Sequence, residues 1–267
     1  MTSSRAIGLL LVLLLAAASR SSTAEIARDE RRSGSSFMAA GTRAMQDDDT
    51  ANPGMLWVLD GEKLWKAKPQ ASDRLGKAPP KSCADCHGEV QTMRGVSARY
   101  PAFDDSSARP VDIEQRINLC RVRHQDESPF ADESRELLAL SALVGRQSRG
   151  MPIASGADPR LQPYVARGRD LFTRRQGQLN LSCANCHDDN WDRQLAGSSI
   201  TQAHPTGYPI YRLEWQGLGS LKRRLRNCMT GIRSQPFEAD SPEIVDLQLF
   251  LASRAAGMAV ETPAVRP

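Results

Sequence analysis

Ser82-Cys83-Ala84-Asp85-Cys86-His87 and Ser182-Cys183-Ala184-Asn185-Cys186-His187 are two copies of one short stretch, set one hundred positions apart. Each is a C-x-x-C-H motif, the attachment signature of a c-type haem. Two thiols add across the vinyl groups of the macrocycle, and the His that follows is then placed to ligate the iron from one face. That geometry fixes the spacing, so the paired motif says far more than a lone C-x-x-C. The competing readings are a redox dithiol and half of a zinc site. A zinc ribbon is poorly served, because each motif carries its own His and no second C-x-x-C lies near it. The expectation is two covalently bound haem c groups, held by Cys83 and Cys86 and by Cys183 and Cys186, with His87 and His187 as axial iron ligands.

The chain of 267 residues opens with Arg5, an apolar run from Ala6 to Ala18, and Ser22-Thr23-Ala24. This has the form of a secretory signal peptide over residues 1–24, cut after Ala24. The apolar run is too short to span a bilayer as a permanent helix, and an uncleaved anchor is the alternative. No later stretch is long and apolar enough to span a membrane, so an exported, periplasmic protein is expected. Loss of Arg5 and Arg20 lowers the formal charge from +4 to +2. A surface so nearly balanced gives no case for nucleic-acid binding. Aromatic residues are only 5% of the chain, which is low for two ordinary cores; bound haem would supply apolar bulk.

Past a polar arm at 25–50, which shows no sustained periodicity and reads as partly disordered, two similar halves follow. Gly61-Glu62-Lys63-Leu64-Trp65 precedes the first motif and Gly168-Arg169-Asp170-Leu171-Phe172 the second, each as the end of an amphipathic helix. Ile113 to Cys120 aligns without a gap with Leu221 to Cys228, pairing Arg116 with Arg224 and Cys120 with Cys228. A closing helix is expected in each half, over 132–144 and from Ser241 to about Ala255; Ser241-Pro242-Glu243 is a good helix start. The order helix, motif, irregular segment, helix predicts an all-α chain of two tandem class I cytochrome c-like domains. The first occupies 51–150 and the second 151–256, parted at the Gly- and Pro-rich stretch 150–159, with a disordered tail at 257–267. The second half is longer between its motif and Cys228, through Gly207-Tyr208-Pro209-Ile210-Tyr211 and Glu214-Trp215-Gln216, and loops of that length are often functional.

Met93, Met151, Met229, Met258, His124, His204, Cys120 and Cys228 are the candidates for the opposite face of each iron. Among them, only Cys120 and Cys228 recur at equivalent positions. Thiolate is a strong donor to ferric iron and lowers its potential. The alternative is a disulfide between the two cysteines, which export would permit. From Lys222 to Arg233 there are five basic residues and no acid, whereas Arg116, Arg121 and Arg123 are offset by Asp112, Glu114, Asp126 and Glu127. If 221–228 is helical, Arg224 lies one turn before Cys228 on the same face. Positive charge there would favour a nucleophilic thiolate and attract a small anion; a solvated helix face is the other reading.

Together these residues resemble the SoxA family, the dihaem subunits of the SoxAX cytochromes of thiosulfate oxidation. The resemblance rests on the two C-x-x-C-H motifs, on Cys120, and above all on Arg223-Arg224-Leu225-Arg226-Asn227-Cys228-Met229, and it covers about residues 52–256. It implies that Cys228 is both a haem ligand and the catalytic residue, carried as a persulfide. It likewise implies that Cys120 ligates the first haem iron and that Arg224 binds substrate. The implied reaction is that of an L-cysteine S-thiosulfotransferase, joining thiosulfate oxidatively to a cysteine of the SoxYZ carrier. A monohaem partner, SoxX, and an electron-accepting cytochrome c complete the implied set. The rivals are an exported dihaem cytochrome that only carries electrons, a dihaem peroxidase, and a disulfide-stapled binding module.

Overall fold

The structure, a computed structural model, describes residues 26–69 and 81–267. The leader read at 1–24 lies outside the described residues. No helix among those described is long and apolar enough to cross a membrane.

Both halves use the same four helices. In the first they are α2 (Met55–Lys66), α3 (Cys83–His87), α4 (Ile113–Cys120) and α5 (Arg135–Arg146), with α1 (Ala40–Asp47) ahead of them. In the second they are α6 (Gln162–Thr173), α7 (Cys183–His187), α8 (Leu221–Gly231) and α9 (Pro242–Arg254). Both closing helices start where a serine caps them. Ser134 accepts from the Leu137 amide and Ser241 from the Ile244 amide, satisfying donors that a helix start leaves unpaired. The first of these therefore begins three residues later than its polar approach suggested.

In each half the first helix packs across the closing one, α2 on α5 and α6 on α9. Glycine sets that approach. A Cβ at Gly61 would sit 2.5 Å from the Ala139 carbonyl oxygen, and one at Gly168 only 2.0 Å from that of Asp246. The two glycines open the matched pentapeptides, and four residues on, one turn further, Trp65 and Phe172 enter their cores. Trp65 joins Val58, Leu138 and Leu143, while Phe172 joins Val165, Leu247 and Phe250.

Short strands are added to this helical plan. β1 (Ala102–Asp104) and β2 (Arg109–Val111) form a hairpin in the first half, and β3 (Gln194–Leu195) and β4 (Ser198–Ser199) a smaller one in the second. The extra length of the second half is not a loop. It forms β5 (Ile210–Arg212) and β6 (Gly217–Gly219), an antiparallel pair. β7 (Ala264–Arg266) adds to β5 in parallel, with Tyr211 opposite Val265. Tyr211, Leu218 and Val265 then pack into the core of the first half, where the Tyr211 ring meets that of Trp57 at 5.8 Å.

The expectation of a disordered tail is thus corrected. The ladder with β5 satisfies the strand's backbone groups, and its apolar side chains are fully buried. The expectation of a loose amino-terminal arm is corrected too. Asn52 donates to the Pro263 carbonyl at 2.9 Å, Ser33 and Ser35 donate to Glu261, and the Gln46 amide oxygen accepts from Arg266. Further back, the Arg32 amide donates to Gln202 at 2.6 Å and the His204 ring donates to the Arg32 carbonyl at 2.9 Å. These bonds span 170 positions or more, so local periodicity carries no trace of them. The 150–159 stretch is also ordered, stitched to the segment after α9 by backbone bonds such as Ile153 to Met258 at 2.9 Å.

Two stability outcomes follow. Gly168→Ala should destabilise the fold by about 3 kcal/mol, because the new methyl meets backbone at an overpacked crossing. Gly41→Ala, where a Cβ meets nothing within 4 Å, should be neutral or slightly stabilising, and thermal unfolding compares the two. Burial holds His204 neutral, with its pKa lowered to about 4 from an ordinary 6.5. Between those values the unfolded chain binds a proton that the native chain refuses, so stability falls as pH drops from 6.5 towards 4. Urea unfolding at pH 7 and 4.5 should show His204→Asn removing about 2 kcal/mol of that loss.

Candidate functional site

Each C-x-x-C-H motif is a one-turn helix with a capping box. Ser82 accepts from the Asp85 amide while Asp85 reaches back to the Ser82 amide, and Ser182 and Asn185 do the same in the second copy. This sets both cysteines and the His on one compact turn. Trp65 lies over His87 at 5.8 Å between ring centroids and donates from its indole N–H to the Gly88 carbonyl at 2.9 Å. Phe172 takes the matching place beside His187 at 6.4 Å.

The residues fit a covalently held haem. The Nδ1 of His187 donates to the Thr201 carbonyl at 2.6 Å, which fixes the tautomer and leaves Nε2 as the free donor atom. Burial, with Arg224 and Arg254 nearby, favours the neutral form of that imidazole, the form a metal ligand needs. Arg254 of α9 donates to Asp188 at 2.6 Å and lies over the Phe172 ring at 4.7 Å, tying the closing helix to the residue after His187. Among the described residues no cluster of His, Cys, Asp and Glu could hold a bare metal ion, as a zinc site would need.

All six cysteines are free, so the disulfide alternative for Cys120 and Cys228 does not hold. Each instead lies within electrostatic reach of its own motif: Cys120 near Cys83 and Cys86, and Cys228 near Cys183 and Cys186. Burial and then Cys228 push the Cys183 thiol up to about 12. Three of the other candidates lie elsewhere. His124 is exposed on the turn that follows Cys120, Met229 is buried in packing, and His204 is spent on the arm.

The two sites differ in how their arginines are used. Asp104, at the end of β1, takes Arg116 at 2.7 Å and Arg123 in a two-pronged contact at 3.0 and 3.1 Å; Arg116 also donates to the Tyr100 hydroxyl at 3.1 Å. Those bonds hold the Asp104 carboxyl well below the usual carboxylate range. Asp104 is absent from the run of acids that the sequence placed around Cys120. Two of those acids face the other way. Asp112 and Glu114 receive Lys222 of α8 at 3.2 and 3.4 Å, with Asp132 and Asp240 slightly further off. Lys222 is 3% exposed in this cluster, so it does not belong to the cationic face beside Cys228. The cluster joins the start of α4 to that of α8, across the two halves.

α8 is helical over the whole of 221–231, which puts Arg224 one turn before Cys228. Among the described residues no hydrogen bond or ion pair reaches the Arg224 guanidinium. Burial opposes its charge, yet Cys228, Tyr208 and Glu214 outweigh that and raise its pKa. Arg223 lies over the Trp215 ring at 4.1 Å, and Arg226 points to solvent. The sequence reading missed Asp104, Thr201, Arg212 and Arg254. Only the 207–216 insertion, which holds Arg212, carried a signal that could have found one of them.

Comparison with known proteins agrees with this arrangement. The family model described as SoxA/TsdA, cytochrome c domain, matches residues 60–153 and 167–260, one copy per half. An L-cysteine S-thiosulfotransferase subunit SoxA of Rhodovulum sulfidophilum is 37% identical over 89% of this chain and 81% of its own length. The subunit of that name from Pseudaminobacter salicylatoxidans is 36% identical over 89% and 82%. A chain of the crystal structure of SoxXA from P. pantotrophus superposes with a TM-score of 0.83 at 31% identity, covering 89% of this chain and 87% of that one. Two like-built helical halves, each with a C-x-x-C-H turn facing a cysteine, therefore place this chain in the SoxA/TsdA cytochrome c family, among the SoxA proteins.

Proposed function

We propose that the chain is the SoxA-type subunit of an L-cysteine S-thiosulfotransferase acting in thiosulfate oxidation, with its chemistry at Cys228. The observation that carries this reading is the contrast between matched arginines: Arg116 is closed off by Asp104, while Arg224 beside Cys228 has no hydrogen-bond or ion-pair partner among the described residues. A cation held half-buried without a counter-ion is an anion site in waiting. The curated relatives carry the same activity in their names.

In this reading Arg224 binds thiosulfate and orients its sulfane sulfur towards Cys228, which relays sulfur by exchange. Over the full reaction a sulfur–sulfur bond forms between the sulfane sulfur and a carrier cysteine thiol. One proton and two electrons are released, and the product is the cysteine S-thiosulfonate. Two haem c groups, held by Cys83 and Cys86 and by Cys183 and Cys186, would accept those electrons when bound. His87 with Cys120, and His187 with Cys228, would ligate the two irons. The partners in this scheme are a SoxX-type monohaem cytochrome, the SoxYZ carrier and an accepting cytochrome c, all in the periplasm. The likeness to a chain of SoxXA supports the first of these.

Cys228→Ala should abolish thiosulfate–cysteine coupling while both haems stay covalently attached, as haem-stained denaturing gels would show. Turnover at the wild-type rate in that variant would sink the assignment. Intact mass should give two haem additions plus about 32 Da for a sulfur carried on Cys228, lost in the Ala variant. Arg224→Ala should raise the thiosulfate KM about tenfold or more, the loss of a charge-assisted contact, with haem content unchanged.

A further inference from the structure

Elsewhere this chain pairs its buried cations with care. Lys222 sits among four carboxylates, Arg254 holds Asp188, Arg266 holds Glu261, and Arg116 holds Asp104. Beside Cys228 the pairing is weaker: a second arginine joins Arg224, and among the described residues the carboxylate near them both is Glu214. Arg212 ends β5 and is only 8% exposed. Its Nε lies 3.0 Å from Glu214 but off the line of a hydrogen bond, and remains a buried donor without an acceptor. Glu214 is itself half exposed, so its charge is well screened. Trp215 lies against both flanking guanidiniums, 5.2 Å from Arg212 and 4.1 Å from Arg223. Gly219 leaves the room that the indole occupies, since a Cβ there would stand 2.4 Å from the ring.

We propose that Arg212 is a second anion-binding residue, which with Arg224 grips the sulfonate end of thiosulfate beside Cys228. The inference deepens the reading of the preceding subsection and rests on it. Arg212 and Arg224 lie within electrostatic reach of one another and of Tyr208. Like charges held together in a poorly solvated place repel, and a dianion placed between them turns that cost into attraction. Two planar forks also offer several donors to the three oxygens of a sulfonate, which a single arginine cannot saturate. The parallel β5–β7 ladder and the packing of Tyr211 hold β5 rigidly, so Arg212 approaches from the strand while Arg224 approaches from α8. A carboxylate of bound haem offers Arg212 the same oxyanion chemistry, and the experiment separates the two.

The test uses the full holoprotein with its monohaem partner. Calorimetric titration measures thiosulfate binding, with sulfate as the comparison dianion, and steady-state turnover is followed in parallel. Arg212→Gln should weaken thiosulfate binding about tenfold or more and raise KM to match, with kcat held within about threefold. Arg212→Lys should recover part of the loss, keeping charge without the fork. Glu214→Gln should tighten binding about two- to fivefold at low salt by removing the one nearby negative charge. Because the Glu214 side chain is half exposed, this variant tests the idea even if Arg212→Gln fails to fold. Unchanged dissociation constants in Arg212→Gln and Glu214→Gln would overturn the proposal. So would a shifted spectrum or potential of the second haem with thiosulfate affinity intact, which would assign Arg212 to the haem carboxylate. Wild-type protein that binds thiosulfate but never couples it to the carrier would sink the proposed function and leave this site standing. Wild-type protein that binds no thiosulfate would sink both.

Discussion

The close crossing of the first and last helix in each half is the constraint from which the rest follows. With Gly61 against the Ala139 carbonyl and Gly168 against that of Asp246, the helix axes come nearer than any side chain would allow. That approach drives Trp65 and Phe172 into the cores and sets their rings beside His87 and His187. The one-turn motif helices, each tied by its own capping box, are then pinned from behind. In the second half Arg254 adds a further tie, bonding α9 to Asp188 directly after His187. A site that must hold a metal ligand in fixed orientation is best built on such rigid elements.

On that shared frame the two halves part in electrostatics. The difference lies in one short hairpin. β1 and β2 of the first half deliver Asp104 to Arg116 and Arg123, so the positive charge near Cys120 is spent within the protein. The second half has a β-strand of another kind near the corresponding place. β5 brings a further cation, Arg212, to Arg224, and the acid beside them, Glu214, is half exposed. The arginines of one site are therefore tied to a buried carboxylate, and those of the other are not.

The insertion that carries β5 and β6 also binds the halves together. It leaves the second half, packs Tyr211 and Leu218 into the first-half core, and accepts the carboxy-terminal strand in parallel. The buried Lys222 cluster joins the same two bodies through polar contacts, with burial pushing the Glu114 carboxyl up despite the lysine beside it. A buried ion cluster of this kind adds little net stability and acts mainly to fix a single geometry. Here it fixes the start of α8, the helix that carries both Arg224 and Cys228.

The sequence alone determined the helical repeat, because a covalent motif of rigid spacing and the two pentapeptides that precede it are local features. It also determined that Arg224 and Cys228 share a helix face, since one turn of helix is a matter of counting. What it could not determine were the partners. Asp104 is twelve positions from Arg116, Thr201 fourteen from His187, and Arg212 twelve from Arg224, and in each case an intervening turn or strand decides the meeting. The same holds for Lys222, whose neighbours in the chain suggested a cationic face and whose neighbours in space are carboxylates. The arm and the tail are the clearest case. Short, polar and without period, they looked unstructured, yet each satisfies the other through bonds between residues over two hundred positions apart. Periodicity reports on what a segment does by itself, and only the tertiary structure decides what it does with a distant one.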